Sequence, residues 1–200
     1  MNIRARITAR KVVISFLYWH LILVRALQKG ELGFSDFFAW ENDDVKGSWN
    51  ENTKKYLYVD PANTKKNAKE IFAFLAEICN KDYIEQKTIY ILDEFFSYNT
   101  TPHIDYSYIL LICKRVFIHS QKAYEDINGF TTTFVMERMD TMDQAIFLLW
   151  YAEQIELDTP KEILINEMIE LAKRYGDVAS PKLVNGIFHK LFGMWNKKKK

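Results

Sequence analysis

At 200 residues and a net charge of +1, the chain is long enough to bury a real core and carries no overall nucleic-acid-like excess of charge. Only 7 glycines and 4 prolines punctuate a sequence that is 48% hydrophobic, which favours long uninterrupted helices over a many-turned all-β fold and makes all-α the expected class. Cys79 and Cys113 are too few and too isolated for a disulfide framework or a zinc knuckle; both sit in apolar helical patterns, as buried thiols in a reducing cytoplasm would.

The first helix is expected from Thr8 to Gln28, with Val13, Phe16, Leu17, Leu21 and Val24 forming a core stripe at helical spacing, and Gly30 and Gly33 ending it. Up to Gly30 the basic residues Arg4, Arg6, Arg10, Lys11, Arg25 and Lys29 face no acidic residue, whereas Glu31 to Glu51 is dominated by acids. Such asymmetry permits a local polyanion site on a neutral protein. The apolar run from Val12 to Val24 is too short for the roughly 20 residues of a spanning helix, and it ends in Arg25 with no small-residue cleavage site. The expectation is a buried first helix with a basic first turn and no membrane association.

Residues 31 to 60 break into acids, aromatics and turn signals and read as an ordered loop or short helices, with Tyr56 to Val59 a strand only if it had partners. Asp60-Pro61 is a cap followed by a first-position proline and opens a helix to about Asn80, with Ile71, Phe74, Leu75 and Ile78 inward. Asp82 to Tyr98 is its return, giving a helical hairpin. A long helix from Ile104 to about Asp126 turns Ile109, Ile112, Val116 and Phe117 inward, and Thr131 to Arg138 leads to a cap at Asp140.

From Ala145 to Ala152 every residue is apolar or aromatic, so this helix should be surrounded on all sides. Thr159, Pro160 and Glu162 have the spacing of a capping box worth roughly 1 to 2 kcal/mol, with Leu164, Met168, Leu171 and Tyr175 beside Ile165, Ile169 and Ala172 facing inward. Gly176 stops that helix, and Ser180-Pro181 starts the next after a tight loop, with Val184, Ile187, Phe188 and Leu191 buried. Gly186 inside the last helix costs about 1 kcal/mol relative to alanine, which close approach of a neighbouring helix would justify. Lys197 to Lys200 form a basic tail.

Catalytic and metal chemistry have little to stand on. The glycines never fall at nucleotide-loop spacing, and His20, His103, His119 and His189 lie far apart without the i, i+4 pairing of a helical metal site. Asp93-Glu94 reads as a solvated helix face. No enzymatic activity, cofactor or metal is expected.

Several runs carry a resemblance. Ile165-Asn166-Glu167, Glu170-Leu171-Ala172-Lys173 and Ser180 through Gly186 resemble the C-terminal signature of the NusB family of transcription antitermination factors. Arg138-Met139-Asp140-Thr141-Met142-Asp143-Gln144-Ala145-Ile146 resembles that family's central run, and Ala9-Arg10 followed by Leu17-Tyr18 its N-terminal one. The resemblance implies a NusB-like bundle of two packed helical subdomains in a single domain. Residues 1–130 would form the N-terminal part, 131–192 the C-terminal part and 193–200 the tail, with an insertion at about 31–103 that includes an extra hairpin from Pro61 to Tyr98.

The resemblance also implies a function: pairing with NusE, a small-subunit ribosomal protein, on the boxA segment of ribosomal RNA transcripts within the transcription elongation complex. Single-stranded RNA is held by cations on phosphates and by stacking on flat side chains. The candidate RNA residues are Arg4, Arg6, Arg10, Lys11, Tyr18, Ser180 and Lys182; Tyr18 equally suits a core tyrosine with its hydroxyl at the surface. Asp143 is the candidate NusE-facing residue, and its acidity is equally explained by a capping box begun at Asp140. Asn166 and Asn185 read as hydrogen bonders in helix packing. Departures from the family pattern at Leu148, Val178, Ala179 and Leu183 remove a phosphate contact and a stacking plane.

The alternative is a NusB-like protein-interaction module without specific RNA binding. The RNA-recognition part of a ribosomal RNA cytosine methyltransferase, which carries such a domain, would need a catalytic domain after Lys200. An exposed RNA face can also be occluded by self-association, so a homodimer stays open.

Overall fold

A computed structural model describes residues 3–32, 67–95, 104–129, 135–157 and 159–198. The expectations for residues 33–66, including the Asp60-Pro61 helix start and the Tyr56 to Val59 strand, lie outside the described residues, as does His103. Among the described residues there are seven α-helices and no strand: α1 (Ile3–Lys29), α2 (Ala68–Ile78), α3 (Lys81–Phe95), α4 (Tyr106–Asn128), α5 (Thr141–Glu156), α6 (Lys161–Tyr175) and α7 (Ser180–Lys198). A 3-10 turn, Met136–Arg138, leads into α5. The fold is an all-α bundle.

Helix α1 is longer than its apolar stripe, and it ends where a left-handed residue is needed. Gly30 has φ 74°, and the N–H groups of Gly30 and Glu31 bond the carbonyls of Leu27 and Ala26 at 3.2 and 2.9 Å. That is a Schellman ending, which glycine adopts without a Cβ penalty. The predicted stripe of Val13, Phe16, Leu17, Leu21 and Val24 is buried throughout. By length and composition α1 could cross a membrane, but most of it is buried inside this structure.

Asn67 opens α2 with a full capping box: its side chain accepts the Glu70 N–H at 3.0 Å, and the Glu70 carboxylate accepts the Asn67 N–H at 3.3 Å. Helices α2 and α3 follow one another through Cys79 and Asn80, and their Ile71, Phe72, Leu75, Ile84, Ile91 and Leu92 pack toward α1 and α4 rather than along each other as the expected hairpin would. In α4 the four predicted inward residues are buried. His20 of α1 is sealed among Phe16, Trp19, Tyr83 and Phe117.

Helix α5 is the shared wall, packed against α1 and α4 on one side and α6 and α7 on the other. Every residue from Ala145 to Ala152 is buried, as an element apolar on all sides requires. Fully burying a side chain such as Leu148 or Phe147 contributes about 1.5–3 kcal/mol. Asp140 caps α5 by accepting the Met142 N–H at 2.8 Å.

Three local expectations are corrected. Helix α6 begins at Lys161 with Pro160 at the cap position and no side-chain cap. The Thr159 hydroxyl instead donates to Glu153 at 3.0 Å, a buried carboxylate that outcompetes a solvent-facing cap. Gly186 is exposed, and a Cβ built there would meet nothing within 4 Å, so no helix approaches it. The close approach is at Gly176, where a Cβ would lie 2.5 Å from the Ser180 Cβ and 2.8 Å from the Ala172 carbonyl oxygen. Asn166 and Asn185 are exposed rather than buried between helices.

Candidate nucleic-acid interface

The basic first turns of α1 divide between inside and outside because consecutive helical residues point about 100° apart. Arg4, Lys11 and Tyr18, each seven residues from the next, share the outer line: Arg4 is exposed, Lys11 half-buried, and Tyr18 is 39% exposed. Arg6 and Arg10 take the inner line.

Arg10, expected as an RNA contact, is instead buried and engaged. Its Nη2 and Nε donate to the two oxygens of Glu153 at 2.6 and 3.0 Å, and its Nη1 donates to Glu167 at 3.1 Å. Glu153 also accepts the hydroxyls of Tyr108 at 2.6 Å and Thr159 at 3.0 Å. Burial works against the Arg10 charge, but the hydrogen bond and charge of Glu153 prevail and hold its pKa above the ordinary value. A phosphate could reach this guanidinium only by breaking a paired, desolvated charge.

Arg6 is partly covered. Its Nε and Nη2 reach Asp105 Oδ2 at 3.0 and 2.9 Å, and its guanidinium lies 4.3 Å from the Tyr108 ring centroid. Burial would raise the Asp105 pKa, but the Tyr108 N–H and Arg6 outweigh it and hold that carboxyl below its usual range. Arg6 is thus the strap between α1 and the start of α4.

The start of α7 is occupied as well. Asp177 Oδ1 accepts the N–H groups of Ala179 and Ser180 at 2.7 and 2.8 Å, and the Ser180 Oγ accepts the Asp177 N–H at 3.0 Å. The free N–H cradle expected for a phosphate is therefore capped from within, and Ser180 is buried; both expectations are corrected. Those backbone bonds hold the Asp177 pKa below its ordinary value. Lys182 stands exposed on the first turn of α7.

Asp143 faces the same junction from α5. It is 4% exposed, and its Oδ1 has no hydrogen-bond partner among the described residues. Burial raises its pKa, with the Ser180 hydroxyl opposing and the charges of Asp140 and Asp177 adding to the rise. It neither completes a box with Asp140 nor stands open on the surface. Among the described residues no group of three or more His, Cys, Asp or Glu could hold a metal ion.

Sequence reasoning missed Asp105, Tyr108 and Glu153 as the inner partners of the arginines, and Asp177 as the cap. Only Asp177 left a local signal, an acid three residues before Ser180. Arg174 and Tyr175 at the end of α6 also escaped it. Tyr175, expected inward, is 37% exposed, with the Arg174 guanidinium 5.6 Å from its ring centroid.

These features, an outer basic line on α1 and a short capped turn between two C-terminal helices, occur in a chain whose residues 66–192 match the family model described as NusB family. The match includes α2 and α3, expected from the sequence as part of an insertion, and leaves α1 outside. A relative from Clostridium tetani named transcription antitermination protein NusB is 31% identical over 143 residues, covering 69% of this chain and 85% of that protein. Proteins of the same name from Anaeromyxobacter sp. (strain Fw109-5) and Microcystis aeruginosa are 34% and 29% identical over 39% and 46% of this chain. In those two the chain spans about half the relative's length, 54% and 43%. The chain belongs to the NusB family.

Proposed function

We propose that this protein is an RNA-binding antitermination adaptor of the cytoplasm, which pairs with the ribosomal protein NusE on boxA-type RNA and joins the transcription elongation complex without catalysing a reaction. Its membership of the NusB family carries the reading, and the relatives named transcription antitermination proteins support its direction. The outer line of α1 supports the RNA side: Arg4, Lys11 and Tyr18 stand on a helix of 27 residues with no acid. Arg6, held to Asp105 behind that line, and Lys182, exposed on the first turn of α7, complete the candidate set. Arg10 and Ser180 act from behind it as positioning residues, fixing α1 and α7.

A second reading has an observation of its own. With Arg10 paired, Ser180 buried and the α7 N-terminus capped, fewer phosphate ligands remain than the sequence offered, which favours a protein-interaction module. Asp143, buried beneath the α5–α7 junction, then shapes the NusE surface rather than touching it.

A fluorescence anisotropy titration of labelled boxA-type RNA, with and without NusE at two salt concentrations, separates the readings. The adaptor binds RNA more tightly with NusE and shows a negative log–log salt slope. Capture of NusE without RNA binding under either condition replaces it with the interaction module.

A further inference from the structure

We propose that the outward face of α7, centred on Gly186 and carrying Lys182, His189 and Lys190, binds the phosphodiester backbone of RNA, with Gly186 bare so that the strand can lie against the helix. The inference rests on the RNA reading above and extends it to Gly186, His189 and Lys190.

A glycine inside a helix loses more backbone freedom on folding than any other residue, and it is kept where the backbone must come close to something. Among the described residues nothing comes close to Gly186: it is exposed, and a Cβ built on it would meet no heavy atom within 4 Å. Gly176 is the contrast, for there the chain itself fills the space, with the Ser180 Cβ 2.5 Å away. Neither a turn nor a left-handed backbone accounts for Gly186, because α7 runs on through it to Lys198 and its φ is not positive. The occupant that uses the bare backbone therefore comes from outside the chain.

The neighbours of Gly186 on the helix surface give that occupant its charge. Lys182 lies four positions before it, and His189 and Lys190 lie three and four after it, so all three project within about 60° of its direction. Each is exposed, and the two lysines are about 12 Å apart along the axis. No acid occurs in α7, and among the described residues neither Lys182 nor Lys190 makes an ion pair. The acid nearest the start of the helix in sequence, Asp177, is taken up by the N–H groups of Ala179 and Ser180 at 2.7 and 2.8 Å. By register, Gly193 and Lys197 continue the same line.

A phosphodiester strand suits this face better than a protein does. Protein interfaces are anchored by aromatic or large apolar side chains, and between Ser180 and Leu191 no large apolar residue is exposed. Cations spaced along a helix meet repeated negative charges, the exposed His189 offers a flat ring to a base, and the bare backbone gives the strand room between Lys182 and Lys190.

The test uses the full chain with labelled boxA-type RNA and NusE, and the variants Gly186→Gln, Lys190→Ala and, as a charge control exposed on α4, Lys114→Ala. Gly186→Gln adds a long neutral side chain that the structure has room for and the helix prefers. Its thermal midpoint should rise while RNA affinity drops about three- to tenfold, with the log–log salt slope unchanged. A glycine with only a structural role would not set stability and affinity against each other in this way. Lys190→Ala should weaken binding and make the slope shallower by about 0.7, one phosphate's share on a single strand, and Lys114→Ala should leave both unchanged. If wild type binds RNA and both α7 variants match it in affinity and slope, the α7 face is wrong and the RNA reading stands. If wild type binds no RNA, both fall, and loss of NusE capture by Gly186→Gln would then assign the face to a protein partner.

Discussion

The guanidinium of Arg10 closes on the carboxylate of Glu153 through two hydrogen bonds, 2.6 Å and 3.0 Å long, and both residues are buried. Around this pair meet four helices: α1 through Arg10, α4 through Tyr108, α5 through Glu153 and α6 through Glu167. A buried ion pair has a high desolvation cost, so its contribution lies in tolerating only one arrangement of those helices.

Removing one member should therefore be worse than removing both. Arg10→Met strands the Glu153 charge and should cost about 3–5 kcal/mol. Arg10→Met with Glu153→Gln should recover a good part of that loss. Urea denaturation of the two single variants and the double variant measures the coupling; a loss below about 1 kcal/mol for Arg10→Met would remove the pair from the fold's main supports.

The two C-terminal glycines should respond oppositely to alanine. At Gly176 the added methyl collides with the Ser180 Cβ at 2.5 Å and with the Ala172 carbonyl oxygen at 2.8 Å, so the turn must shift, for a loss of about 1–3 kcal/mol. At Gly186 the methyl meets nothing within 4 Å, and the helix should gain up to about 1 kcal/mol. Thermal melts of both variants check the pair; equal effects would contradict it.

His20 should make the fold sensitive to mild acid. Burial, opposed by the Phe16 carbonyl and aided by the Lys87 charge, lowers its pKa to about 3. The carbonyl can only accept, so the neutral ring donates from Nδ1 to Phe16 at 2.7 Å and accepts the Tyr83 hydroxyl at Nε2, 2.9 Å away. The unfolded chain takes up the proton near pH 6.5, whereas the folded one resists it, so stability is lost as pH falls from about 6.5 toward 3. NMR should find the His20 ring neutral at pH 5; titration near 6.5 would show that the ring is solvated.

Asp143 has the opposite sign. Its folded pKa is raised above the ordinary 3.8, so the folded state holds the proton more tightly than the unfolded one. Stability should fall as pH rises from 3.8 through the raised value and stay lower above it. Asp143→Asn should abolish that fall and be at least as stable as wild type at pH 7. Denaturation curves across pH 4 to 7 decide; a markedly weaker variant at pH 7 would mean that the carboxylate makes a favourable contact.

The legible parts of this fold were those written in neighbouring residues. The α1 stripe repeats every three or four positions, the apolar run of α5 has no polar side to expose, and Asp140 stands one residue before its helix. Arg10 was illegible for the converse reason: its acceptors lie 143 and 157 residues away, and without them an arginine near a terminus reads as a surface cation. Gly176 and Gly186 show the same limit, since a missing side chain marks a close approach only when something approaches. Of the interface, the sequence supplied the residue types, but the helical phase that turns Lys11 out and Arg10 in depends on which face α5 and α6 cover.

The order of these elements along the chain has a consequence for synthesis. Helix α1 buries its apolar face against α5, and the contact between Arg10 and Glu153 spans 143 residues. At about 5–20 residues per second, a ribosome takes roughly 7 to 30 s to make the intervening chain. Throughout that interval the nascent α1 carries Val13, Leu17, Leu21 and Val24 with their α5 partner still unmade, so the folding protein passes through a long stage in which only the α2–α4 segment can cover that stripe.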